Sequence, residues 1–253
     1  MTENQWKAFS LFRDEFREKC ARWQREYSSL LLSLQKKAAE EQGVDYEIEN
    51  SVVYNTALDE ITKESDIRLI VVGDNPGKNE QLEKNKKYLI GQSGKIAENF
   101  FRRTEELKTD FRKNAIILNK TPVHSAKTVQ LKSFSKADGK AKDLIVQSQI
   151  FMAEKTAALL CGLVREGKND VSLWLTGYSE VKKGKIFESY REAFLKSFEN
   201  EADAWERVFV FQHFSMNRFL SDLRQFSASS SHSSVKENLE MLGKLHRREI
   251  FSM

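Results

Sequence analysis

Several patterns that usually identify a cofactor are missing from this chain. It has two cysteines, Cys20 and Cys161, and no Cys-x-x-Cys pair. A zinc or iron–sulfur centre held by thiolates is therefore not expected. The chain also contains no Gly-x-Gly-x-x-Gly, no phosphate-loop Gly-Lys-Ser/Thr and no Gly-x-Ser-x-Gly. These absences argue against a dinucleotide cofactor, a P-loop and a serine nucleophile on an elbow turn, and we expect no cofactor and no metal.

We expect no segment that directs the chain to a membrane or out of the cell. No apolar run reaches membrane-spanning length, and residues 1–7 lack the basic-then-apolar order of a signal peptide. The low cysteine content fits a reducing compartment. We expect a cytoplasmic or nucleoid-associated monomer without membrane contact. The net charge of +4 inclines the protein mildly towards polyanions, which by itself does not establish nucleic-acid binding.

The sequence does contain an ordered alternation of helix and strand patterns. Apolar residues recur at intervals of three and four over 3–42, which predicts one long amphipathic helix or two. Short apolar runs that end in turn residues predict buried strands at 67–73, 114–119, 171–177 and 207–213. Helical patterns lie between and after these runs, at about 95–109, 143–166, 187–199 and 235–248.

This order predicts a three-layer α/β/α fold with a central four-stranded parallel sheet, preceded by an N-terminal helical segment. We expect one domain over 1–253, with a helical extension at 1–45 and an α/β core at 46–253. Ser93 is the predicted N-cap of the helix near 95. The serine-rich stretch 227–234 is predicted to be a flexible loop.

Residues that are rare in this chain follow the predicted strand ends. Both prolines, Pro76 and Pro122, lie there, and so do two of the four histidines, His124 and His213. Because the carboxyl ends of parallel strands meet at one edge of a sheet, polar residues after them converge on a ligand site. The side chains predicted to share this cleft are Asp74, Asn75, Asn119, Thr121, His124, His213 and Ser215.

Five segments carry a family resemblance. They are Val53-Tyr-Asn-Thr-Ala-Leu58, Gly73-Asp-Asn-Pro-Gly77, Tyr88-Leu-Ile-Gly-Gln-Ser-Gly94, Ile116-Ile-Leu-Asn119 and His213-Phe-Ser-Met-Asn217. In this order, over roughly residues 50–250, they resemble the motifs of the uracil-DNA glycosylase superfamily. The Asn-Pro-Gly element is most similar to that of the mismatch-specific and single-strand-selective monofunctional branches.

The resemblance implies a monofunctional hydrolase of base excision repair, which cleaves the N-glycosidic bond of uracil or a related deaminated base in DNA. It assigns the positioning of the attacking water to Asn75, whose amide oxygen can orient water but cannot take its proton. Asp74 either supplies that basicity or only caps the turn. His213 is expected to donate a hydrogen bond to O2 of the departing uracil.

The remaining contacts implied by the resemblance divide into base and backbone contacts. Asn119 pairs with the base edge, Tyr88 or Leu89 covers its face, and Gly73, Pro76 and Gly77 complete the substrate-binding loop. Flanking phosphates are held by Ser215, Asn217 and Arg218, with Lys120 and Ser93 as further DNA contacts. The lysines between 127 and 142 either attract DNA non-specifically or form a solvated surface.

Two departures from the family pattern leave alternatives open. Phe214 stands in place of the proline of the second catalytic motif, which alters the loop that pinches DNA. Leu89 stands where several branches have a phenylalanine that stacks on the base. One alternative is therefore a non-catalytic nucleic-acid or nucleobase-binding protein on the same fold. The other is an α/β hydrolase that acts on a small nucleoside.

Overall fold

The computed structural model describes residues 1–165, 171–230 and 234–251. At its centre lies a sheet whose four strands are all parallel, as predicted. The strands are β1 (Leu69–Gly73), β2 (Ala115–Asn119), β3 (Ser172–Thr176) and β4 (Val208–Phe211). Almost every strand residue is buried, because both faces of the sheet are covered by helices and the strand sequences are nearly continuous apolar runs.

The strand order β2-β1-β3-β4 fixes where polar loop residues can meet. The chain passes from β1 to the neighbouring β2 and then returns across the sheet to β3 on the other side of β1. The connections therefore diverge at the carboxyl ends of β1 and β3, which is the topological switch point where open α/β sheets bind ligands. Asp74 follows β1 at this point, and Gly177 follows β3.

Helices surround the sheet in the predicted three-layer arrangement. The α-helices are α1 (Glu3–Glu41), α2 (Gln92–Arg103), α3 (Gln130–Ala137), α4 (Gly139–Val164), α5 (Tyr178–Val181), α6 (Glu188–Lys196), α7 (Ala202–Trp205), α8 (Arg218–Ser229) and α9 (Val235–Phe251). Short 3₁₀ turns occur at Thr56–Glu60, Glu105–Leu107 and Ser215–Asn217. Helices α1, α3 and α6 pack around α4, whereas α9 packs on β4 and α8 packs on α9.

The predicted N-terminal amphipathic segment forms one continuous helix. A capping box of Thr2 and Gln5 starts α1, since each side chain accepts a hydrogen bond from the backbone N–H of the other. The stripe of apolar residues faces inward, and Phe9, Phe16 and Trp23 belong to the same buried cluster as the strands. The aromatic side chains of α1 therefore form part of the protein core.

Two local predictions were wrong, and one helix was not predicted. Ser93 is not an N-cap, because α2 begins at Gln92 after an extended Gly91 that offers no capping side chain. The polar stretch after residue 126 contains α3, whose Leu131 and Phe134 are buried. The serine-rich stretch is helical as far as Ser229 in α8, and residues 231–233 lie outside the described part. Among the described helices, none has the length and apolar character needed to cross a bilayer.

Candidate functional site

A cleft of about 250 Å³ opens at the carboxyl edge of the sheet. Its walls include Asp74 from the end of β1 and His213 from the end of β4, two strands that β3 separates. The other side chains that bear polar groups or limit access are Thr128, Ser179, Glu180, Gln212, Ser215 and Arg218. Two of the predicted strand-end residues, together with Ser215, therefore share one cavity.

Gly177, at the end of β3, leaves the space in which this cleft forms. Its φ of +87° favours glycine, and a Cβ atom there would lie 2.3 Å from Oδ1 of Asp74. A side chain at this position would also approach Nζ of Lys120 to 3.1 Å. The absence of a side chain at Gly177 therefore allows Asp74 and Lys120 to occupy the space beside it.

Asp74 is held by a buried ion pair. Its Oδ1 lies 2.6 Å from Nζ of Lys120, which also donates to the carbonyl oxygens of Gly73 at 3.1 Å and Thr176 at 2.5 Å. Lys120 thereby joins the ends of β1, β2 and β3. Burial raises the pKa of Asp74, but Lys120 and His213 more than offset this and hold the pKa below its usual value. Asp74 is therefore a carboxylate, and its Oδ2 has no hydrogen-bond partner among the described residues.

His213 presents a neutral imidazole to the cleft. Burial lowers its pKa, Asp74 opposes this effect, and the positive charges of Lys120 and Arg218 lower the pKa further. The backbone N–H of Ser215 donates to Nδ1 at 3.1 Å, which assigns the ring proton to Nε2. No described residue forms a hydrogen bond with Nε2. The site therefore contains an uncommitted carboxylate oxygen and an uncommitted N–H donor.

Ser215 has a different role from the serine of a hydrolase triad. Its Oγ lies 2.9 Å from Nδ1 of His213, the same nitrogen that already accepts the backbone N–H of Ser215. Because one lone pair serves both contacts, Nδ1 is poorly placed to activate the hydroxyl. Ser215 therefore orients the imidazole.

Two exposed apolar side chains stand beside the cleft. Val129 is 61% exposed and Met216 is 71% exposed, and both belong to its lining. Met216 and Asn217 have φ of +53° and +56°, a conformation that is uncommon for residues other than glycine. Phe214, in contrast, is fully buried, with its ring centroid 4.9 Å from that of Phe219. Phe214 thus anchors the loop in the core, and the loop then turns Met216 towards solvent.

Asn75 is engaged on both sides of its amide. Its Nδ2 donates to Oγ of Ser125 at 2.9 Å and to the carbonyl oxygens of Ser125 and Pro76 at 3.1 Å. Its Oδ1 accepts the hydroxyl of Thr128 at 3.0 Å. Asn75 does not line the cleft, contrary to the prediction that it shares the cavity with Asp74. The amide instead ties the loop after β1 to the segment after β2.

Asn119 lies behind the cleft. It is 2% exposed and pairs in register with Gly73, where a Cβ atom would lie 2.5 Å from its Oδ1. Its Nδ2 has no hydrogen-bond partner among the described residues, which typically costs about 1–3 kcal/mol for a buried polar group. The amide therefore has an unused donor but does not line the cleft in this conformation.

Thr121 and His124 are structural, contrary to the prediction that they line the cleft. The hydroxyl of Thr121 lies 2.7 Å from Oγ of Ser148. His124 is fully buried, with Nδ1 at 2.9 Å from the carbonyl oxygen of Pro76 and Nε2 at 3.0 Å from the hydroxyl of Tyr46. Burial lowers the pKa of His124 to about 4. Neither of its ring nitrogens is left for a substrate.

Several other predicted contacts are contradicted by burial. Lys120 is 0% exposed, so it cannot contact a phosphate as predicted. Tyr88 and Leu89, predicted to cover a base, are 1% and 5% exposed and lie outside the cleft lining, because the Tyr88 hydroxyl donates to the carbonyl oxygen of Val53. Ser93 is half-buried in the first turn of α2, also outside the lining, and its predicted DNA contact stays a prediction.

The loop glycines and proline predicted to bind substrate shape the backbone instead. Gly73 leaves room for Asn119, and the carbonyl oxygen of Pro76 accepts from His124. The N–H of Gly77 donates to Oε2 of Glu80 at 3.1 Å. None of the three lines the cleft. Asn217 is exposed but also outside the lining, whereas Arg218, which was predicted to hold a flanking phosphate, contributes to the lining.

Glu80 connects two loops behind the site. Besides Gly77, the backbone N–H groups of Leu89 and Ile90 donate to its carboxylate. Burial raises its pKa to about 7, and these three donors and Arg112 lower the pKa only in part. Glu80 thus carries a buried titratable group that fixes the loop after β1.

Some cleft residues were not identified from the sequence. Gln212, Ser179 and Glu180 line the cleft without belonging to any of the motifs. Gln212 could have been recognised because it directly precedes His213 at a strand end. Val129 and Thr128 carried no such signal, since they lie in a polar stretch distant from every predicted strand end.

No metal or relative is identified for this site. Across 1–165, 171–230 and 234–251, no group of three or more histidine, cysteine, aspartate or glutamate side chains is placed to hold a metal ion. Comparison of the chain with protein-family models, with curated proteins and with solved structures found no match.

Proposed function

We propose that this protein is a DNA glycosylase that hydrolyses the N-glycosidic bond of uracil or a related deaminated base. The observation that carries the proposal is the placement of Asp74 and His213 on opposite sides of Gly177 in one cleft. Cleavage of this bond passes through a cationic sugar and releases an anionic base. A carboxylate and a neutral N–H donor are the two groups that such a reaction requires.

Asp74 is assigned to the attacking water. Its carboxylate is ionised beside Lys120, and Oδ2 has no hydrogen-bond partner among the described residues, so it can accept a proton from water. Asn75, the residue indicated by the family resemblance, has its amide engaged with Ser125 and Thr128. The geometry therefore favours Asp74 for this role and gives Asn75 a supporting role in the loop.

His213 is assigned to the leaving base. Its Nε2–H can donate to a base oxygen as negative charge develops there, without transferring a full proton. The hydrogen bonds from Ser215 to Nδ1 keep the ring in the required tautomer. Arg218, which lines the same cleft, adds positive charge near the departing anion.

Met216 and Val129 are suited to contact the nucleic acid at the mouth of the cleft. DNA-binding proteins insert apolar side chains between base steps, and a base must leave the stack before the cleft can hold it. We assign Met216 to this contact, since it is the more exposed of the two. The cleft offers Gln212 as an amide that could read a base edge, whereas Asn119 lies outside the lining.

The test is release of free base from oligonucleotides that contain uracil, hypoxanthine or xanthine, as single strands and as duplexes. We expect release from at least one substrate, and a fall of about 10²–10³-fold in His213→Ala. Gln225→Ala is the control, because Gln225 is exposed on α8, which follows the same loop, and lies outside the cleft lining. Absence of release from every substrate would reject the proposal.

A binding protein on the same fold is the second candidate. It is favoured by the burial of Tyr88 and Leu89, which leaves the base without an aromatic cover. In that case the wild-type protein would bind oligonucleotides in a salt-dependent way while base release stayed at background. Release of base from free deoxyuridine, but not from DNA, would instead identify a hydrolase of small nucleosides.

A further inference from the structure

A row of exposed lysines begins at the lip of the cleft. Lys127 directly precedes Thr128 and Val129, which line the cavity, and Lys132, Lys136 and Lys140 follow along α3 and the start of α4. We call these four side chains the lysine row. All four are exposed, and none forms an ion pair with a described carboxylate.

The acidic residue within the row forms no ion pair with its described lysines. Asp138 is the one acid between 127 and 140, and its Oδ1 accepts the backbone N–H of Ala141 as the N-cap of α4. Lys132 and Lys136 are four residues apart on α3, so they lie on one face of the helix about 6 Å apart along its axis. Unpaired charges of one sign on a rigid surface are suited to a polyanion.

Hydrogen bonds hold the start of the lysine row against the loop after β1, which carries Asp74 and Asn75. The hydroxyl of Thr128 donates to Asn75, and the side chain of Gln130 bonds the backbone N–H of Lys127 and the carbonyl oxygen of Ala38 in α1. Leu131 and Phe134 anchor the opposite face of α3 in the core. A strand held by the row would therefore stay in register with the cleft.

We propose that the lysine row binds the phosphate backbone of the nucleic acid that flanks the base in the cleft. The proposal rests on the proposed function for the identity of the polyanion, and it adds the path that the strand follows away from the cavity, along α3 towards the start of α4. Contacts of this kind position the substrate and carry no sequence information. They also make binding depend on salt, because each neutralised phosphate releases counterions.

The experiment measures binding of oligothymidylate, which contains no base to excise, as a function of salt concentration. For the variant K127Q/K132Q/K136Q we expect the slope of log affinity against log salt to fall by about 2, at roughly 0.7 per lost contact on a single strand. The matched control is K113Q/K196Q/K236Q, three exposed lysines that lie outside both the lysine row and the cleft lining. Its slope should change little.

An equal fall in both triple variants would overturn the proposal, because it would show an effect of net charge alone. So would an unchanged slope in K127Q/K132Q/K136Q, absence of oligothymidylate binding by the wild-type protein, or tighter binding to phosphatidylserine vesicles than to the oligonucleotide. If the row binds oligothymidylate but no base is ever released, the proposed function fails and the lysine row stands. If base is released but K127Q/K132Q/K136Q leaves the slope of log affinity against log salt unchanged, the proposed function stands and the lysine row fails.

Discussion

Cavities open at both edges of the same sheet, and the residues proposed to act in catalysis lie in the smaller one. At the amino ends of the strands a cavity of about 730 Å³ lies over an aromatic floor that includes Phe101, Trp174 and Phe209. Two ion pairs lie in its lining, Arg68 with Asp66 and Lys244 with Glu206. The cleft at the carboxyl ends is about 250 Å³ but contains Asp74 and His213.

The difference between the two edges lies in how their polar groups are satisfied. At the amino edge, ion pairs are exposed and each partner satisfies the other, as is common on protein surfaces. At the carboxyl edge, Lys120 is buried to hold one oxygen of Asp74, and the other oxygen and Nε2 of His213 have no described partner. Burying polar groups costs free energy. Buried polar groups that have no partner therefore indicate a functional site better than cavity volume does.

The largest expected effect comes from breaking the Asp74–Lys120 pair. In Asp74→Asn the buried ammonium of Lys120 loses its counter-charge, which typically destabilises a protein by about 3–5 kcal/mol. Base release should fall by about 10²–10⁴-fold, because asparagine cannot accept a proton from water. Denaturant unfolding and base-release assays measure the two effects separately.

The double variant D74N/K120M separates stability from chemistry. Replacing both charges removes the unpaired ammonium, so stability should return to within about 1–2 kcal/mol of the wild-type protein. Activity should stay lost, since Asp74 itself is still missing. Recovery of base release in the double variant would show that Asp74 acts only through the fold and would weaken the proposed mechanism.

The sheet could be predicted because strand burial is encoded locally. Runs such as Leu69–Gly73 and Val208–Phe211 are apolar on both faces and end at turn residues, which identifies parallel strands and the edge where their loops meet. Helix α3 was missed because only Leu131 and Phe134 interrupt a polar stretch. The start of α2 was misplaced because Gly91, without a capping side chain, occupies the N-cap instead of Ser93.

The site was predicted only in part, because a strand-end position does not determine a side chain's direction. Asp74 and His213 reach the cleft, but His124 turns towards the carbonyl oxygen of Pro76 and Asn75 turns towards Ser125. Those directions depend on how the loops after β1 and β2 pair with each other. Such pairing is a tertiary contact, and local sequence patterns carry no information on it.

Glu80 gives the carboxyl edge a pH dependence. Its pKa is about 7 in the folded protein and near the ordinary glutamate value when unfolded. Between about pH 4.5 and 7 the unfolded chain therefore binds fewer protons than the folded one, and stability falls as pH rises. The two pKa values differ by about 2.5, which corresponds to about 3 kcal/mol of unfolding free energy.

Glu80→Gln removes this titration while keeping an oxygen acceptor for Gly77. Relative to the variant, the wild-type protein should lose about 3 kcal/mol of unfolding free energy between about pH 4.5 and pH 8, as measured by denaturant titration. Glu154→Gln, an exposed position on α4, is the matched control and should show no such trend. Parallel pH profiles of wild-type protein and Glu80→Gln would contradict the buried titration of Glu80.

The smallest effect is expected at the amino edge, where removing one exposed cation should matter little. Lys236→Ala and Lys244→Ala, both in the lining of the larger cavity, should change stability by no more than about 0.5 kcal/mol and leave base release unchanged. Arg218→Ala removes a cation from the cleft and should slow release by about tenfold, or 1.4 kcal/mol of transition-state stabilisation. Equal losses of base release in the variants at the two edges would show that the larger cavity, beside Trp174, also takes part in the reaction.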